Sequence, residues 1–271
     1  MTATLIRKFA AGVANVSRNI SRVTVPTQDV SILSAFYAEA LRLKTVHESN
    51  DGRYAVLSAG DSSRSCELAF SRRLDQTTVN STSTTHGPLL FPFLTFGVSN
   101  LKTSSRHAKR KLGNVIDHSE SEAVFIDPDG NGLRVLHLFR RNPAVSITLG
   151  VKSIENSKEL YINLLGMRQG TREEEAVMHL PDNNRKEEEL QLALSFGDPH
   201  NTTSLLINQV SGSRPRTETV ICIDVPKQEL IQLYKDASAL SGISVSPFDD
   251  SSDKSFLIED SDGYVLQVKG N

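Results

Sequence analysis

The feature that most constrains this chain is that its second half repeats its first. Residues 29–46, DVSILSAFYAEALRLKTV, follow a strand-like RVTV, and residues 153–170, SIENSKELYINLLGMRQG, follow a strand-like SITL. One constant offset lays Tyr161 on Tyr37, Leu160 on Phe36, Leu165 on Leu41 and Met167 on Leu43. The same offset continues without a gap and places LQLAL, 190–194, on CELAF, 66–70. Ile32, Leu33, Phe36, Tyr37, Ala40 and Leu41 recur at helical spacing, as do Ile154, Leu160, Tyr161, Leu164 and Leu165, so each copy predicts an amphipathic helix after a strand.

A second kind of unit alternates with the first. Residues 91–113 and 219–243 each read as a strand and a helix, and each leads to a strand pair, 123–138 and 255–270. The strand pairs are joined by Asp127-Pro128-Asp129-Gly130 and Asp260-Ser261-Asp262-Gly263. Asp supplies side-chain acceptors and Gly the positive φ that such turns need. The chain therefore reads as an α+β protein of four βαβββ-like units. Polar stretches around His86, from 140 to 143 and from 211 to 217 separate them, and the charged run 182–189 reads as a solvated loop inside the third. The expected layout is an N-terminal extension, 1–18, then a first domain, 19–140, with units 19–75 and 88–140. A second domain, 144–271, has units 144–210 and 216–271.

Composition narrows the partners. Across 271 residues, 30 basic and 32 acidic side chains give a formal charge of -2, which offers no electrostatic reason to bind nucleic acid or an anionic membrane. No apolar run approaches the ~20 residues of a membrane-spanning helix. Cys66 and Cys222 each lie in an apolar run with no CxxC partner, so both are expected in the core of a protein in a reducing compartment. The first 22 residues carry Arg7, Lys8, Arg18 and Arg22 with no acid. That pattern suits a mitochondrial or plastid transit peptide, or else a helical extension of a cytoplasmic protein. A small-molecule ligand, with the protein a monomer or homodimer, is the expected partnership.

Asp29, Phe36 and Tyr37, then Leu164 to Met167, then the hairpins 127–135 and 260–268 carry a resemblance to the vicinal oxygen chelate superfamily. This is the family of glyoxalase I, bleomycin resistance proteins and extradiol dioxygenases. The resemblance covers nearly everything from Asn19 to Lys269. It implies two domains, each of paired βαβββ units forming a cupped mixed sheet that holds a ligand or metal. Enzymes of the family bind a divalent ion through His, Gln or Glu and let substrate oxygens chelate it, the ion acting as a Lewis acid.

The family's four ligand positions carry over residue by residue. The first falls on Arg22 and, in its repeat, Ser146; the second on Glu67 and Gln191. The third falls at or within a residue or two of Phe93 and Val220, and the fourth on Arg134 and Gln267. Glu67 alone is an unambiguous ligand type, and a guanidinium cannot ligate a cation. Arg22 and Arg134 thus argue against zinc, nickel, manganese or iron, and no cofactor is expected. If the first two units shared a cup, Arg22, Glu67 and Arg134 would meet there, as an anion site or as an ion pair that closes the cavity.

The seven histidines supply no displaced metal site. His107, His118 and His200 lie in polar stretches and are expected to be exposed, His137 has the opposite strand parity to Arg134, and His47 and His86 have no informative spacing. His179 is the one that could face a cup. Three functions follow. The first is a metal-independent binder of a small organic molecule, similar to the family's drug-sequestering members, with an apolar cup walled by Phe70, Phe91, Phe93, Phe96 and Leu194. The second is a lyase, isomerase or ring-cleaving dioxygenase with a relocated or metal-free site and Glu67 as general base. The third is a structural or assembly protein.

Overall fold

The structure is a computed structural model that describes residues 18–58, 66–73, 92–138, 144–171, 191–199, 202–210, 218–250 and 254–271. Four βαβββ units follow one another, as the repeat predicts. The first holds β1 (Asn19–Thr27), α1 (Val30–Leu41), β2 (Lys44–Glu48), β3 (Tyr54–Ser58) and β4 (Glu67–Arg72). The second holds β5 (Phe93–Val98), α2 (Leu101–Arg110), β6 (Asn114–His118), β7 (Glu122–Ile126) and β8 (Gly132–His137). In the third, β9 (Ala144–Val151) leads to α3 (Ile154–Lys158), which continues as a π-helical turn (Glu159–Leu164). Strands β10 (Arg168–Gln169), β11 (Gln191–Ser195) and β12 (Ser204–Gln209) complete it. The fourth holds β13 (Val220–Val225), α4 (Lys227–Ala239), β14 (Ser244–Val245), β15 (Ser255–Glu259) and β16 (Val265–Gly270). Among the described residues no helix is long and apolar enough to cross a membrane.

The strands form two mixed sheets of eight. One runs β14-β15-β16-β13-β1-β4-β3-β2 and the other β10-β11-β12-β9-β5-β8-β7-β6. The first unit therefore shares a sheet with the fourth through the antiparallel pair β1 and β13, and the second with the third through β5 and β9. Each sequence half, 19–140 and 144–271, contributes one unit to each sheet. Arg134 consequently stands in the other sheet from Arg22 and Glu67, and the three do not meet in one cup.

The constant offset holds for the helices and fails at the last strand of the unit. Strand β4 lies parallel to β1, and its counterpart, parallel to β9, is β12 rather than β11. LQLAL is thus the middle strand of its hairpin, and Ser204, not Gln191, stands where Glu67 stands in the first unit. An apolar alternating strand looks much like its hairpin neighbour, so pattern alone could not separate β11 from β12.

The sheets bury one face each in a common core with the helices, including Val23, Leu68, Phe70, Leu94, Phe96, Leu149, Leu194, Ile207, Ile223 and Val268. Two buried hydrogen bonds tie the helix of each odd unit to the hairpin of the next. Tyr37 donates its hydroxyl to Asp127 Oδ2 at 3.1 Å, and Tyr161 donates to Asp260 Oδ2 at 3.0 Å. The other oxygen of each carboxylate closes its turn. Asp127 Oδ1 accepts from the amides of Asp129 and Asn131, and Asp260 Oδ1 from those of Asp262 and Tyr264. Gly130 and Gly263, at φ 87° and 85°, supply the left-handed residue of each turn.

The helix ends also repeat. Arg42 and Gly166, equivalent by the offset, both adopt left-handed backbone at φ 57° and 74°. At Gly166 a side chain would meet the guanidinium of Arg18 at 2.8 Å, which is there to donate to the Leu165 carbonyl and to pair with Glu229. Among the described residues no such arm crosses Arg42, and a larger residue stands there at the cost of backbone strain.

Burial pushes the Asp127 carboxyl up to about 6, against the hydrogen bonds from Asn131, with the neighbouring Asp129 charge adding to the rise. The folded chain therefore holds this proton more tightly than the unfolded chain, whose Asp titrates near ~4. The resulting stability is present in full below about pH 4 and is lost as pH rises through about 6, by at most ~3 kcal/mol. Thermal melts between pH 4 and 7 are expected to show wild type losing stability relative to Asp127→Asn over this window. Parallel curves would contradict the assignment.

Candidate functional site

Strand register places one residue from each of four central strands side by side on the face of each sheet opposite the core. In the first sheet the row is Glu67, Arg22, Cys222 and Gln267, on β4, β1, β13 and β16. In the second it is Ser204, Ser146, Thr95 and Arg134, on β12, β9, β5 and β8. Arg22, Glu67, Arg134, Ser146 and Gln267 thus occupy the predicted floor positions. Phe93 and Val220 lie two residues before Thr95 and Cys222 on the same faces, so the third position is held by Thr95 and Cys222. Gln191 is displaced to β11, opposite Asn208.

The first row is bound together by Arg22. Its Nε and Nη2 donate to Glu67 Oε2 at 2.9 and 2.6 Å, and its Nη1 donates to the Tyr54 hydroxyl at 3.0 Å. Three of the guanidinium's five N–H donors are spent this way, which among the described residues leaves two, together with Glu67 Oε1, for a ligand. The pair is accessible: the Arg22 and Glu67 side chains are 30% and 33% exposed. Beside it the Cys222 thiol donates to Gln267 Oε1 at 3.2 Å. Further along the face, where β1 bulges, Ser21 donates to Asp224 Oδ1 at 2.7 Å, and Lys269 pairs with the same oxygen at 3.5 Å.

Protonation states follow from these neighbours. Burial alone would lower the Arg22 pKa, but the Glu67 hydrogen bond and the surrounding Tyr54 and Glu67 groups carry it upward. Burial raises the Cys222 thiol despite the opposing charges of Arg22 and Lys269, and raises the Tyr54 phenol despite Arg22. At neutral pH the floor therefore presents a guanidinium, a thiol and a phenol. Cys66, on the core side, is pushed up by burial to about 12 and is equally a thiol. Sequence reasoning missed Tyr54, Cys222, Asp224 and Lys269 as cup residues; strand parity from Val220 and Gln267 would have found the last three.

The second row is drier. Ser146 and Ser204 are buried and Thr95 is 3% exposed, while Arg134, 16% exposed, is held by Glu122 through Nε and Nη2. Buried Ser146 Oγ, Ser204 Oγ, Gln191 Oε1 and Asn208 Oδ1 have no partner among the described residues. A polar atom left in that state costs on the order of 1–3 kcal/mol.

Of the predicted apolar cup walls, Phe93 alone among the described residues lies on a cup face. Phe70, Phe96 and Leu194 point into the common core, where the Tyr37 ring stacks against Phe70 and Phe96. The residues that share the face of Arg22, Glu67, Cys222 and Gln267 on their strands are predominantly polar in the first sheet. Between the sheets lies a small cavity lined by Val23, Cys66, Leu68, Leu94 and Phe96 together with the floor residues Glu67, Thr95 and Ser146, with about 10 Å³ of space, enough for roughly one water molecule. Phe91, His86, His179 and His200 lie outside the described residues. His107 is not exposed as expected. It is partly buried on α2, 3.7 Å from Glu39 of α1, because the two helices pack together. His137 donates from Nε2 to the Ser99 carbonyl, away from the Arg134 face.

Neither row fits a divalent cation. In the first, the guanidinium occupies one of the four positions and engages the row's carboxylate; in the second, Glu122, which faces the row, is held by Arg134. The remaining hydroxyl, thiol and amide groups carry no charge to offset the ion's dehydration. Among the described residues no group of three His, Cys, Asp or Glu gathers.

No family sequence model matches the chain. No curated protein matches it either. Solved structures do. Glyoxalase I from Zea mays superposes with a TM-score of 0.67 at 16% identity over 94% of this chain and 92% of that one. A variant of the same maize enzyme gives 0.68 at 16% identity, covering 94% of both. A Bacillus subtilis candidate dioxygenase gives 0.57 at 13% identity over 93% and 84%. These likenesses show that the fold is the tandem glyoxalase-type fold across nearly the whole chain.

Because the Arg22 and Glu67 side chains are each about one-third exposed, their ion pair should contribute less than about 1 kcal/mol to stability. A double-mutant cycle of Arg22→Met and Glu67→Gln by urea denaturation checks this. A coupling of several kcal/mol would mean that the pair is structural.

Proposed function

We propose that this chain binds a small, oxygen-rich organic molecule in the cup of the first sheet, without a metal, and that Arg22 is its principal anchor. The observation that carries this is the Arg22 guanidinium, fixed by Glu67 and Tyr54 yet about one-third exposed, with two N–H donors to spare among the described residues. It puts a permanent positive charge at the position where the fold's enzymes hold a ligand of their cation. A planar fork of N–H donors suits a carboxylate, or a pair of adjacent carbonyl and hydroxyl oxygens. The polar surroundings, with Ser21, Asp224, Lys269 and Gln267 on the same face, favour a hydrophilic ligand over the apolar one expected of a drug-sequestering cup.

A second reading rests on Glu67. Its Oε1 lies beside any molecule held by Arg22, so it could take a proton from a carbon next to the ligand's carbonyl while Arg22 stabilises the oxyanion that develops. That would make the chain a metal-free isomerase or lyase. A structural role would leave Arg22 and Glu67 without a ligand.

Calorimetric titration of chelator-treated protein with glycolate, lactate, pyruvate and catechol tests these readings together. Saturable binding of at least one carboxylate is expected, weakened at least tenfold by Arg22→Met and retained in Glu67→Gln. Proton NMR of the bound probe in deuterated buffer then separates binder from enzyme, since exchange at the α-carbon that disappears in Glu67→Gln supports the second reading. Binding unaffected by Arg22→Met would overturn the first.

A further inference from the structure

We infer that the outer face of α2 docks on an anionic lipid bilayer, with its basic side chains against the headgroups and Leu112 in the interface. The near-balance of charge over the whole chain hides this face. Residues 99–116 contain Lys102, Arg106, Lys109, Arg110 and Lys111 and no Asp or Glu. Leu101, Ser104, Ser105 and Ala108 are the buried side of α2, and Lys102, Arg106, Lys109 and Arg110 are exposed on the opposite side. At helical spacing these four cations form a single stripe, roughly 12 Å long. Among the described residues none of the four has an acidic partner, and nearby Glu39 is taken by Lys111 and His107.

Neither helix chemistry nor the fold requires such a stripe. Lys102 and Arg106, and Arg106 and Arg110, are like charges one turn apart, which weakens a helix. The helix dipole favours cations in the last turn, but Lys102 stands in the first, where an acid would be favoured and none is present. The corresponding helix of the fourth unit, α4, mixes Lys227, Glu229, Lys235 and Asp236. Leu112 departs from the repeat in the same way. Two residues before the next strand each even unit takes left-handed backbone, with Gly242 at φ 85° in the fourth unit and Leu112 at φ 65° in the second. A leucine in that conformation is strained, and this one is also 75% exposed. Ile116, where β6 bulges, is exposed as well. Cations beside uncovered aliphatic side chains complement the two layers of an anionic membrane surface, charged headgroups above and acyl chains beneath. An acidic polypeptide would engage the cations and leave Leu112 unused. This surface is independent of the Arg22 cup, which lies in the other sheet.

The test is flotation of the full chain with phosphatidylcholine vesicles, with and without phosphatidylserine, over a series of salt concentrations. Binding is expected only with phosphatidylserine and should fall as salt rises. Each cation near such a surface is worth about fivefold in partitioning, so Arg106→Gln combined with Arg110→Gln should weaken binding about thirtyfold. Leu112→Gly should weaken it severalfold without lowering the melting temperature, because glycine accepts the left-handed backbone. Lys227→Gln combined with Lys235→Gln removes the same charge from α4 and should leave binding unchanged. Absent binding at low salt, or binding that persists undiminished in the α2 variants, would overturn the inference. Vesicle binding that is indifferent to Leu112→Gly and displaced by soluble poly-L-glutamate would point to an acidic polypeptide instead and would equally overturn it.

Discussion

The buried hydrogen bond from a helix tyrosine to a turn aspartate, made twice, holds this fold together. Tyr37 and Asp127 join the first unit to the second, and Tyr161 and Asp260 join the third to the fourth. Each aspartate spends its other oxygen on its own turn amides, so one carboxylate both shapes a hairpin and anchors it to the helix of the preceding unit. The sheets make the complementary connections, first unit to fourth and second to third. Helix layer and sheet layer thus cross-link the four units in different pairs, and no unit can leave without breaking both a core contact and a strand ladder.

That cross-linking is what creates the two cups. With β1 against β13 and β5 against β9, the four central strands of each sheet present one residue each on the face away from the core. The two floors have diverged. One carries an accessible guanidinium pinned by a carboxylate and a phenol; the other carries hydroxyls and a shielded arginine. A single architecture therefore carries two floors of unlike charge and polarity.

The fold was legible because its signals are local and repeated: helical stripes after strands, and Asp-x-Asp-Gly turns whose chemistry allows few alternatives. Five of the eight floor residues were legible for the same reason, since they sit at fixed distances from those turns and helices. Gln191 was misplaced because β11 and β12 are both short apolar strands, and only their hydrogen-bonded order tells which one lies beside β9. The unit pairing was not legible, because strand adjacency between β1 and β13 leaves no mark in either strand's pattern. Phe70, Phe96 and Leu194 were read as cup walls although their parity sends them to the core. Asp224 and Lys269 were not singled out in the sequence; the sheet brings them to the floor beside Ser21.

The central claim is that a guanidinium has taken the place of a metal in the first cup. Elemental mass spectrometry of the full chain, after soaking in zinc, nickel, manganese and iron salts and removal of the excess, tests it most directly. The account predicts far less than one ion per chain for every metal, in wild type as in Glu67→Gln. One ion per chain in wild type, lost in Glu67→Gln, would contradict it and restore a metal-centred site.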